Sequence, residues 1–243
     1  MNIVCVIPAR GGSKRVLDKN LMSLLDKPLI AYTIEAALTS ELCDRVIVST
    51  DDSNISAAGE KYGAEIIIRP PDLALDHSPI EDALRHVVRH LEKEENYITD
   101  IVVLLQANVP VRKDGEIDSV IRELINHEDG TAVATAYLID QRPEWMKVID
   151  SETGMIKPFM VATNLYRKQD LPKLYLFDGA VAAVKKEILM ETEGKKSVHA
   201  FFGEKVRVVI HDEKYAIEID EKKDYELAEY YLRQSQEREV GFI

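Results

Sequence analysis

The sequence predicts an α/β protein with a mostly parallel sheet that is covered by helices on both faces. Short apolar runs rich in β-branched residues recur along the chain, and segments with helical periodicity separate them. The 243 residues, of which 46% are hydrophobic and 30% charged, suffice to bury a large core. We therefore expect one domain over residues 1–243.

The first half of the chain alternates strands and helices. NIVCVI is the first predicted strand, and DKPLIAYTIEAALTSE is a helix because Pro28 favours a first helical turn. RVIVST is the second strand. The helix SNISAAGEKYG ends at Gly63, and the third strand, AEIIIR, ends before Pro70 and Pro71.

The segment PIEDALRHVVRHLEKEE is the clearest helix. Its apolar residues recur at the three- and four-residue spacing that lines one side of a helix. They are Ile80, Ala83, Leu84, Val87, Val88 and Leu91. We therefore expect one face of this helix to be buried.

The second half continues the pattern. DIVVLLQ is a fourth strand, apolar until Gln106, and the helix GEIDSVIRELIN and the strand TAVATAYLI follow it. LFDGAVAAV and KVRVVI are later strands. A last helix passes through Leu227, Ala228, Tyr231 and Leu232.

Between about Asp140 and Leu174 the alternation stops. The stretch mixes apolar and basic residues with Pro143, Trp145, Gly154, Pro158 and Pro172. Thirty-odd residues without periodicity inside a domain are typical of a functional segment. We expect an excursion near residues 140–174, such as a lid or an arm that reaches a partner subunit.

The net charge and the cysteines restrict the function. A formal net charge of -12 argues against a general nucleic-acid binder, which needs a broad positive surface. We expect neither a signal peptide nor a membrane span, because the apolar run Ile3–Ile7 is short and Pro8 and Arg10 follow it. Cys5 and Cys43 are consistent with reduced core thiols, and we expect a cytoplasmic protein.

The segment PARGGSKRVLDKN directly follows the first strand. It places Arg10, Lys14, Arg15 and Lys19 around a Gly-Gly pair. A glycine-rich turn after a strand can point backbone N–H groups at an anion. Neither the G-x-G-x-x-G fingerprint nor the Walker A pattern is present. Four cations exceed what one phosphate requires and fit a triphosphate, so the loop is predicted to bind phosphates.

With this loop, the chain resembles the acylneuraminate (CMP-sialic acid type) cytidylyltransferase family. IPARGGSKR…KN looks like the family's opening, and RVIVSTDD, IIIRPPDLALD, VVLLQANVPVR and IEIDEKKDYELAE resemble later blocks in the same order. The resemblance implies a three-layer, Rossmann-like nucleotidyltransferase fold. It also implies an enzyme that converts CTP and a nonulosonic sugar acid to a CMP-sugar and pyrophosphate, and a homodimer in which the excursion extends into the neighbouring subunit.

The resemblance assigns the nucleotide side of the site residue by residue. It implies that Arg10, Ser13 and Lys19 hold the phosphates. We expect Arg10 and Lys19 also to stabilise the charge that develops during transfer. The other nucleotide-binding positions are Ala9, Asn20 and Arg69.

Two carboxylates near the C-terminus are implied as ligands of Mg²⁺. Glu218 and Asp220 are two residues apart, and strand alternation would place both on one face. The family usually has Asp-Ile-Asp here, so Glu218 departs from the pattern by one methylene. Asp220 and the metal are expected to orient the triphosphate and to activate the attacking hydroxyl.

The sugar side is assigned less completely. Gln106 matches a glutamine that faces the sugar, and Lys168 or Arg167 would bind the sugar carboxylate; the sequence does not decide between these two. Phe201 and Phe202 match an aromatic pair that forms an apolar wall for the acyl group. The alternative is that they are core residues before a strand.

Departures from the family pattern cluster at the positions that are predicted to bind the sugar acid, which is the acceptor of the reaction. Asp178 stands for an asparagine, Ala182 stands for a common tyrosine, and QANVPVR replaces the usual QPTSPLR. Two alternatives therefore remain for the function. One is a cytidylyltransferase for another sugar acid, such as an eight-carbon ulosonate, and the other is a catalytically weak nucleotide-binding module.

Overall fold

A mostly parallel sheet lies at the centre of the structure, a computed structural model that describes residues 1–12, 18–160 and 164–240. The strands of these residues are β1 (Ile3–Pro8), β2 (Ser23–Leu24), β3 (Lys27–Pro28), β4 (Arg45–Thr50), β5 (Glu65–Ile68), β6 (Ile101–Leu104), β7 (Ala132–Ile139), β8 (Lys147–Ile149), β9 (Ile156–Pro158), β10 (Leu174–Lys185) and β11 (Val206–His211). In the described chain, seven of them form one sheet in the order β11-β7-β10-β6-β1-β4-β5. β2 pairs with β3, and β8 with β9, in separate two-stranded ribbons.

Most neighbouring strands of the main sheet are parallel. β1 is parallel to β4 and β6, β4 to β5, and β7 to β11. β10 is antiparallel to both of its neighbours, β6 and β7. Parallel neighbours need a crossover, which helices supply here. The sheet is therefore mixed at one strand and parallel elsewhere in the described residues.

Helices cover both faces of this sheet. Their described bounds are α1 (Leu29–Leu38), α2 (Ser53–Lys61), α3 (Ile80–Glu95), α4 (Glu116–Asn126), α5 (Lys186–Glu191) and α6 (Lys222–Val240). Alternate residues of β1 point to opposite faces: Cys5 packs in a core cluster with residues of α1, α2 and α4, whereas Val4 and Val6 pack with residues of α3 and α5. The predicted α/β fold, with a mostly parallel sheet and helices on both faces, is confirmed.

The parallel strands end at a common edge, and polar residues follow several of these ends. β1 leads to Arg10, β4 to Asp51, β5 to Arg69, and β6 to Gln106 and Asn108. In open α/β sheets the carboxyl ends of the strands are where ligands bind. The fold therefore gathers side chains from four separate sequence blocks at one edge.

A third core cluster holds the C-terminal helix against the rest of the fold. Leu24 and Leu29, from the first ribbon and the start of α1, pack with Ile217, Ile219 and Ala228. The segment before α6 therefore reaches the carboxyl edge of the sheet, although it is distant from the other site residues in sequence.

The excursion between β7 and β10 contains more structure than its sequence predicts. β8 and β9 form a ribbon in which Ile149 pairs with Ile156. Both side chains are exposed, and so are Trp145, Phe159 and Tyr166. A ribbon that buries neither face shows no alternation of apolar and polar residues, which is why periodicity does not reveal it.

Cys5 and Cys43 are joined by a disulfide, with their α-carbons 6.1 Å apart. The prediction of two reduced core thiols is therefore wrong for this structure. Asp44 explains the proximity, since its backbone N–H donates to the carbonyl oxygen of Ile3 at 2.9 Å and its carboxylate accepts from the Ile3 N–H at 2.7 Å. These bonds hold the turn before β4 beside β1.

Within the described ranges, no helix combines the length and the apolarity that crossing a bilayer requires. The cytoplasmic location expected from the sequence stays a prediction.

Candidate active site

At the carboxyl edge of the sheet, an ion pair joins a residue near the start of the chain to one near its end. Lys19 Nζ lies 2.7 Å from Asp220 Oδ1, although the residues are 201 positions apart. Lys19 begins a short 3₁₀ helix, Lys19–Leu21, and Asp220 lies shortly before α6. The structure therefore brings the predicted phosphate-binding loop and the predicted metal-binding block into direct contact, and we use the term cleft for the region around this contact.

The loop after β1 is held by its own polar contacts. The amide of Asn20, which is buried, donates to the carbonyl oxygen of Arg10 at 3.2 Å. Asp18, before the 3₁₀ helix, has a positive φ of 48°. Ala9 is also buried, and its backbone N–H donates to the Ser49 carbonyl oxygen at 3.0 Å. These contacts fix the described ends of the loop, while Ser13, Lys14 and Arg15 lie outside the described residues.

Carboxylates face the cationic groups of this loop. Arg10 Nη1 lies 2.7 Å from Asp76 Oδ1. The backbone N–H of Gly11 donates to Asp51 Oδ1 at 3.0 Å. A backbone N–H, a guanidinium and an ammonium group thus each have a carboxylate oxygen as partner. Phosphate oxygens accept from the same donors, so these contacts mark an anion-binding surface.

Arg69 is buried below the loop. Its guanidinium donates to the carbonyl oxygens of Ser49 at 2.7 Å and Leu73 at 3.3 Å. Burial lowers the pKa of Arg69 from its ordinary value; the charge of Asp51 opposes this shift, and that of Arg10 adds to it. Arg69 thus ties the end of β4 to the segment after β5. Its contact with a nucleotide stays a prediction.

The predicted metal carboxylates share one amide. Asn108 Nδ2 lies 3.2 Å from Glu218 Oε1, 3.5 Å from Asp220 Oδ1 and 3.3 Å from the carbonyl oxygen of Ile219. Asn108 is buried, and its own carbonyl oxygen accepts from the Ile219 N–H at 2.9 Å. Asn108 is absent from the predicted site residues; its position after a strand in the block of Gln106 is the signal that could have identified it.

The expected strand at Glu218 and Asp220 is wrong, because residues 216–219 pair with no described strand. The alternation is nevertheless present. Ile217 and Ile219 are buried in the third core cluster, which leaves the two carboxylates on the other side of an extended segment. Burial of the two isoleucines therefore places both carboxylates on one side of the segment, which pairing in a strand was expected to do.

The acidic pair fits the predicted Mg²⁺. Mg²⁺ prefers oxygen ligands and is held by one or two carboxylates together with water and substrate phosphates. Glu218 and Asp220 supply that donor set beside the cationic loop. No cluster of three or more potential ligand side chains occurs in the described part of the chain. Two carboxylates are only part of a Mg²⁺ coordination shell, so water or substrate oxygens would have to complete it.

Gln106 lies against an irregular part of β10, where the pairing with β7 shifts between Phe177 and Ala182 and the backbone turns at Gly179. An ideal Cβ on Gly179, which has a φ of +69°, would overlap the Nε2 atom of Gln106. The Gln106 carbonyl oxygen accepts from Arg112 Nη2 at 2.9 Å, and Arg112 Nη1 donates to the carbonyl oxygen of Ala180. Burial lowers the pKa of Arg112 to about 10, although Glu116 and Asp178 oppose the shift.

A chain of buried ionisable side chains supports the same turn. His211 Nδ1 lies 2.5 Å from Glu116 Oε1, and His211 Nε2 lies 2.6 Å from Asp178 Oδ2. Burial lowers the pKa of His211, but the two carboxylates outweigh this effect and raise it to about 9. Asp178 is the residue that stands for a family asparagine, but this departure by itself does not point to His211 or Glu116.

The remaining predicted sugar-binding residues lie elsewhere. Phe201 and Phe202 are each 4% exposed and pack in the core cluster of α3 and α5, so the structure favours the core alternative over an exposed wall. The reason is a 3₁₀ turn, Ala200–Phe202, that folds both rings inward. Lys168 pairs with Asp140 at 2.5 Å and is exposed in the excursion, as is Arg167.

The sequence matches a known family over nearly its whole length. The family model described as Cytidylyltransferase covers residues 4–229. An N-acylneuraminate cytidylyltransferase of Escherichia coli is 30% identical over 226 residues, which are 93% of this chain and 51% of that protein. A CMP-N,N'-diacetyllegionaminic acid synthase of Legionella pneumophila is 32% identical over 242 residues, 98% of this chain and 99% of that protein. The chain thus spans about half the length of the first relative and almost all of the second.

A solved structure with the same fold extends the comparison. It is that of CMP:2-keto-3-deoxy-manno-octonic acid synthetase complexed with CTP, with a TM-score of 0.72 and 18% identity. The match covers 97% of this chain and 100% of that one. The likeness confirms the three-layer, Rossmann-like nucleotidyltransferase fold.

Substituting Gly179 by alanine should displace the Gln106 amide. A positive φ costs an alanine about 1 kcal/mol, and the overlap of the new Cβ with the amide must open by about 1 Å. Gly154→Ala is the matched control, since Gly154 also has a φ of +69° and an added Cβ there meets nothing within 4 Å. Urea unfolding should show a larger loss of stability for Gly179→Ala than for Gly154→Ala, and crystal structures should show a moved Gln106 in Gly179→Ala alone. An unmoved amide would contradict the described packing.

Proposed function

Because this chain belongs to the cytidylyltransferase family, we propose that it converts CTP and a nonulosonic, sialic-type sugar acid to a CMP-sugar and pyrophosphate. The names of the E. coli and Legionella relatives support this class of acceptor. The observation that carries the proposal is the 2.7 Å contact between Lys19 and Asp220, which joins a cationic loop to an acidic pair in one cleft.

The nucleotide would bind by replacing carboxylates with phosphate oxygens. Arg10 and Lys19 would exchange Asp76 and Asp220 for the triphosphate, and Ser13 would add a hydroxyl donor from the same loop. Such exchange costs little, because a partly exposed ion pair contributes about 1 kcal/mol or less to folding. Asn20 and Ala9 would keep the loop in place, and Arg69 would support it from below.

The reaction would be an in-line displacement at the α-phosphorus of CTP. The oxygen of the sugar's anomeric hydroxyl forms the new P–O bond, and the bond to the β-phosphate breaks, so that its electron pair leaves with pyrophosphate. The hydroxyl proton passes to a carboxylate oxygen of the acidic pair. Lys19 and Arg10 stabilise the negative charge that grows on the leaving group.

Glu218 and Asp220 would hold Mg²⁺, with Asn108 keeping the two carboxylates together. When bound, this ion supplies positive charge that orients the triphosphate and lowers the pKa of the attacking hydroxyl.

The acceptor would lie beside Gln106. Its amide provides a neutral donor and acceptor for sugar hydroxyls, while Lys168 or Arg167 would pair with the sugar carboxylate. Both cations are in the excursion, so they would reach a site by movement of that segment or from a neighbouring subunit.

A pyrophosphate-release assay tests the proposed reaction. The protein would be incubated with Mg²⁺, with each of ATP, CTP, GTP and UTP, and with a panel of eight- and nine-carbon sugar acids. We expect release with CTP and a nonulosonic acid. Release only with an eight-carbon ulosonate would select the alternative acceptor, and CTP binding without release would indicate a nucleotide-binding module instead.

Replacing Asp220 by asparagine should lower pyrophosphate release by about 10²- to 10³-fold, because it removes a charge aimed at the reacting groups. The fold should remain, since Asp220 is a partly exposed residue and its ion pair contributes little to stability. Glu221→Gln is the control, because Glu221 is the neighbouring exposed carboxylate. Turnover and circular dichroism would be measured together, and unchanged turnover in Asp220→Asn would exclude the assigned role.

We further propose a homodimer that uses the excursion. Ile149 and Ile156 are opposite each other in the β8–β9 ribbon and are 69% and 65% exposed. Together with Trp145, Phe159 and Tyr166 they leave an apolar surface that favours contact with a second copy.

Sedimentation equilibrium should therefore give twice the 27.5 kDa of one chain. The double substitution Ile149→Glu/Ile156→Glu should give monomers, because the introduced charges would be buried in the dimer without partners. Ile98→Glu, at an exposed apolar residue outside the excursion, should leave the mass unchanged. A dimer that survives the double substitution would exclude this surface.

A further inference from the structure

Three ionisable side chains are almost completely removed from water beneath the acceptor side of the cleft. The side chains of Glu116, His211 and Asp178 are 2%, 1% and 0% exposed. They come from the first turn of α4, the end of β11 and the middle of β10. Buried charges of this kind are costly unless each has a partner, and these three are partnered in one line.

Asp178 connects this line to a turn of the backbone. Its Oδ1 accepts from the Ala180 N–H at 2.8 Å and from Thr135 Oγ1 at 2.6 Å, while its Oδ2 accepts from His211. Three donors thus fix one carboxylate. The β10 register also shifts between Phe177 and Ala182, so ladder pairing does not hold the turn by itself.

The turn, held in this way, positions Gln106. Gly179 leaves no room for a Cβ beside the side-chain amide of Gln106. The backbone N–H of Gln106 donates to the Gly179 carbonyl oxygen at 3.4 Å. Arg112 donates to the carbonyl oxygens of both Gln106 and Ala180. Any movement of the turn is therefore transmitted to Gln106.

The charges of this cluster balance only when His211 is protonated. Glu116 and Asp178 are then offset by His211 and Arg112. The other titratable groups that contact His211 or act on Asp178 are Tyr215, whose ring centre is 6.0 Å from that of His211, Tyr137 and Glu218. A neutral imidazole has one N–H, so one of its nitrogens would direct a lone pair at a carboxylate. Deprotonation of His211 thus removes its hydrogen bond to either Glu116 or Asp178.

We propose that Glu116, His211 and Asp178 form a positioning device for the sugar acid: the protonated imidazole holds Asp178, which holds the Gly179 turn and thereby the Gln106 amide at the acceptor. The inference rests on the proposed function. It makes His211 a positioning residue that acts through Asp178. It also predicts a division within the site, because the nucleotide-binding loop does not contact this cluster through any described hydrogen bond or ion pair.

Steady-state kinetics with each substrate varied in turn separates positioning from general stability. His211→Phe should raise the KM for the sugar acid about 10-fold or more and leave the KM for CTP unchanged, because a displacement of about 1 Å suffices for such losses. His127→Gln is the matched control, since His127 also pairs with a glutamate on α4 but lies outside the cluster. Equal changes in both KM values would indicate a merely structural role and overturn the inference.

Asp178→Asn keeps the test decisive if His211→Phe does not fold. The amide oxygen that this substitution introduces would still accept from Thr135 and Ala180, and the amide nitrogen would donate to a neutral His211 that donates to Glu116. The unmodified enzyme should show a rise in the sugar-acid KM as pH passes about 9, the pKa of His211, with no such rise for CTP. Asp178→Asn should lose that rise. A rise that persists would overturn the inference.

A readout independent of turnover is the titration of His211 by imidazole NMR. Its midpoint should be near 9 in the unmodified chain and lower by at least about one pH unit in Asp178→Asn. A midpoint near the ordinary value of about 6.5 would overturn the charged cluster itself. No turnover by the unmodified enzyme with any sugar acid would refute the proposed function, and the inference with it. An unchanged sugar-acid KM in an active His211→Phe would refute the inference alone.

Discussion

The contact between Lys19 and Asp220 is the interaction on which the organisation of the cleft depends. The two side chains are 19% and 39% exposed, so their attraction is weakened by solvent and contributes little to folding. What holds them together is the sheet, since β1 positions the loop of Lys19 and the third core cluster positions the segment of Asp220. In the proposed reaction, an ion pair placed by the fold in this way would be available for exchange with the nucleotide.

The cleft resolves the contrast between an acidic chain and a cationic loop. The net charge of -12 is a sum over the whole chain, whereas binding depends on the charges within about 10 Å. Around the loop, Asp51, Asp76 and Asp220 each accept from a backbone N–H or a basic side chain. Local neutrality therefore stabilises the loop, and in the proposed reaction phosphates would replace these carboxylates.

The two sides of the cleft use charge differently. On the loop side the ion pairs are partly exposed and exchangeable. On the side of Gln106 the charges of Glu116, His211 and Asp178 are buried, and loss of one partner would leave an uncompensated charge in a poorly hydrated interior. The first arrangement suits a ligand that arrives with its own charge, and the second suits a backbone turn that must not move.

Local sequence determined which residues form the strands and helices, because alternation and helical periodicity act over a few neighbouring residues; RVIVST and the apolar stripe of α3 are the clearest cases. The resemblance of whole sequence blocks to the family also indicated that Asp220 and the loop of Lys19 belong to the site. The tertiary structure alone decided the antiparallel direction of β10, the burial of Phe201 and Phe202, and the partners of His211. These features arise from contacts between residues far apart in the chain, whose energies depend on how complete helices and strands pack, and no local pattern encodes them.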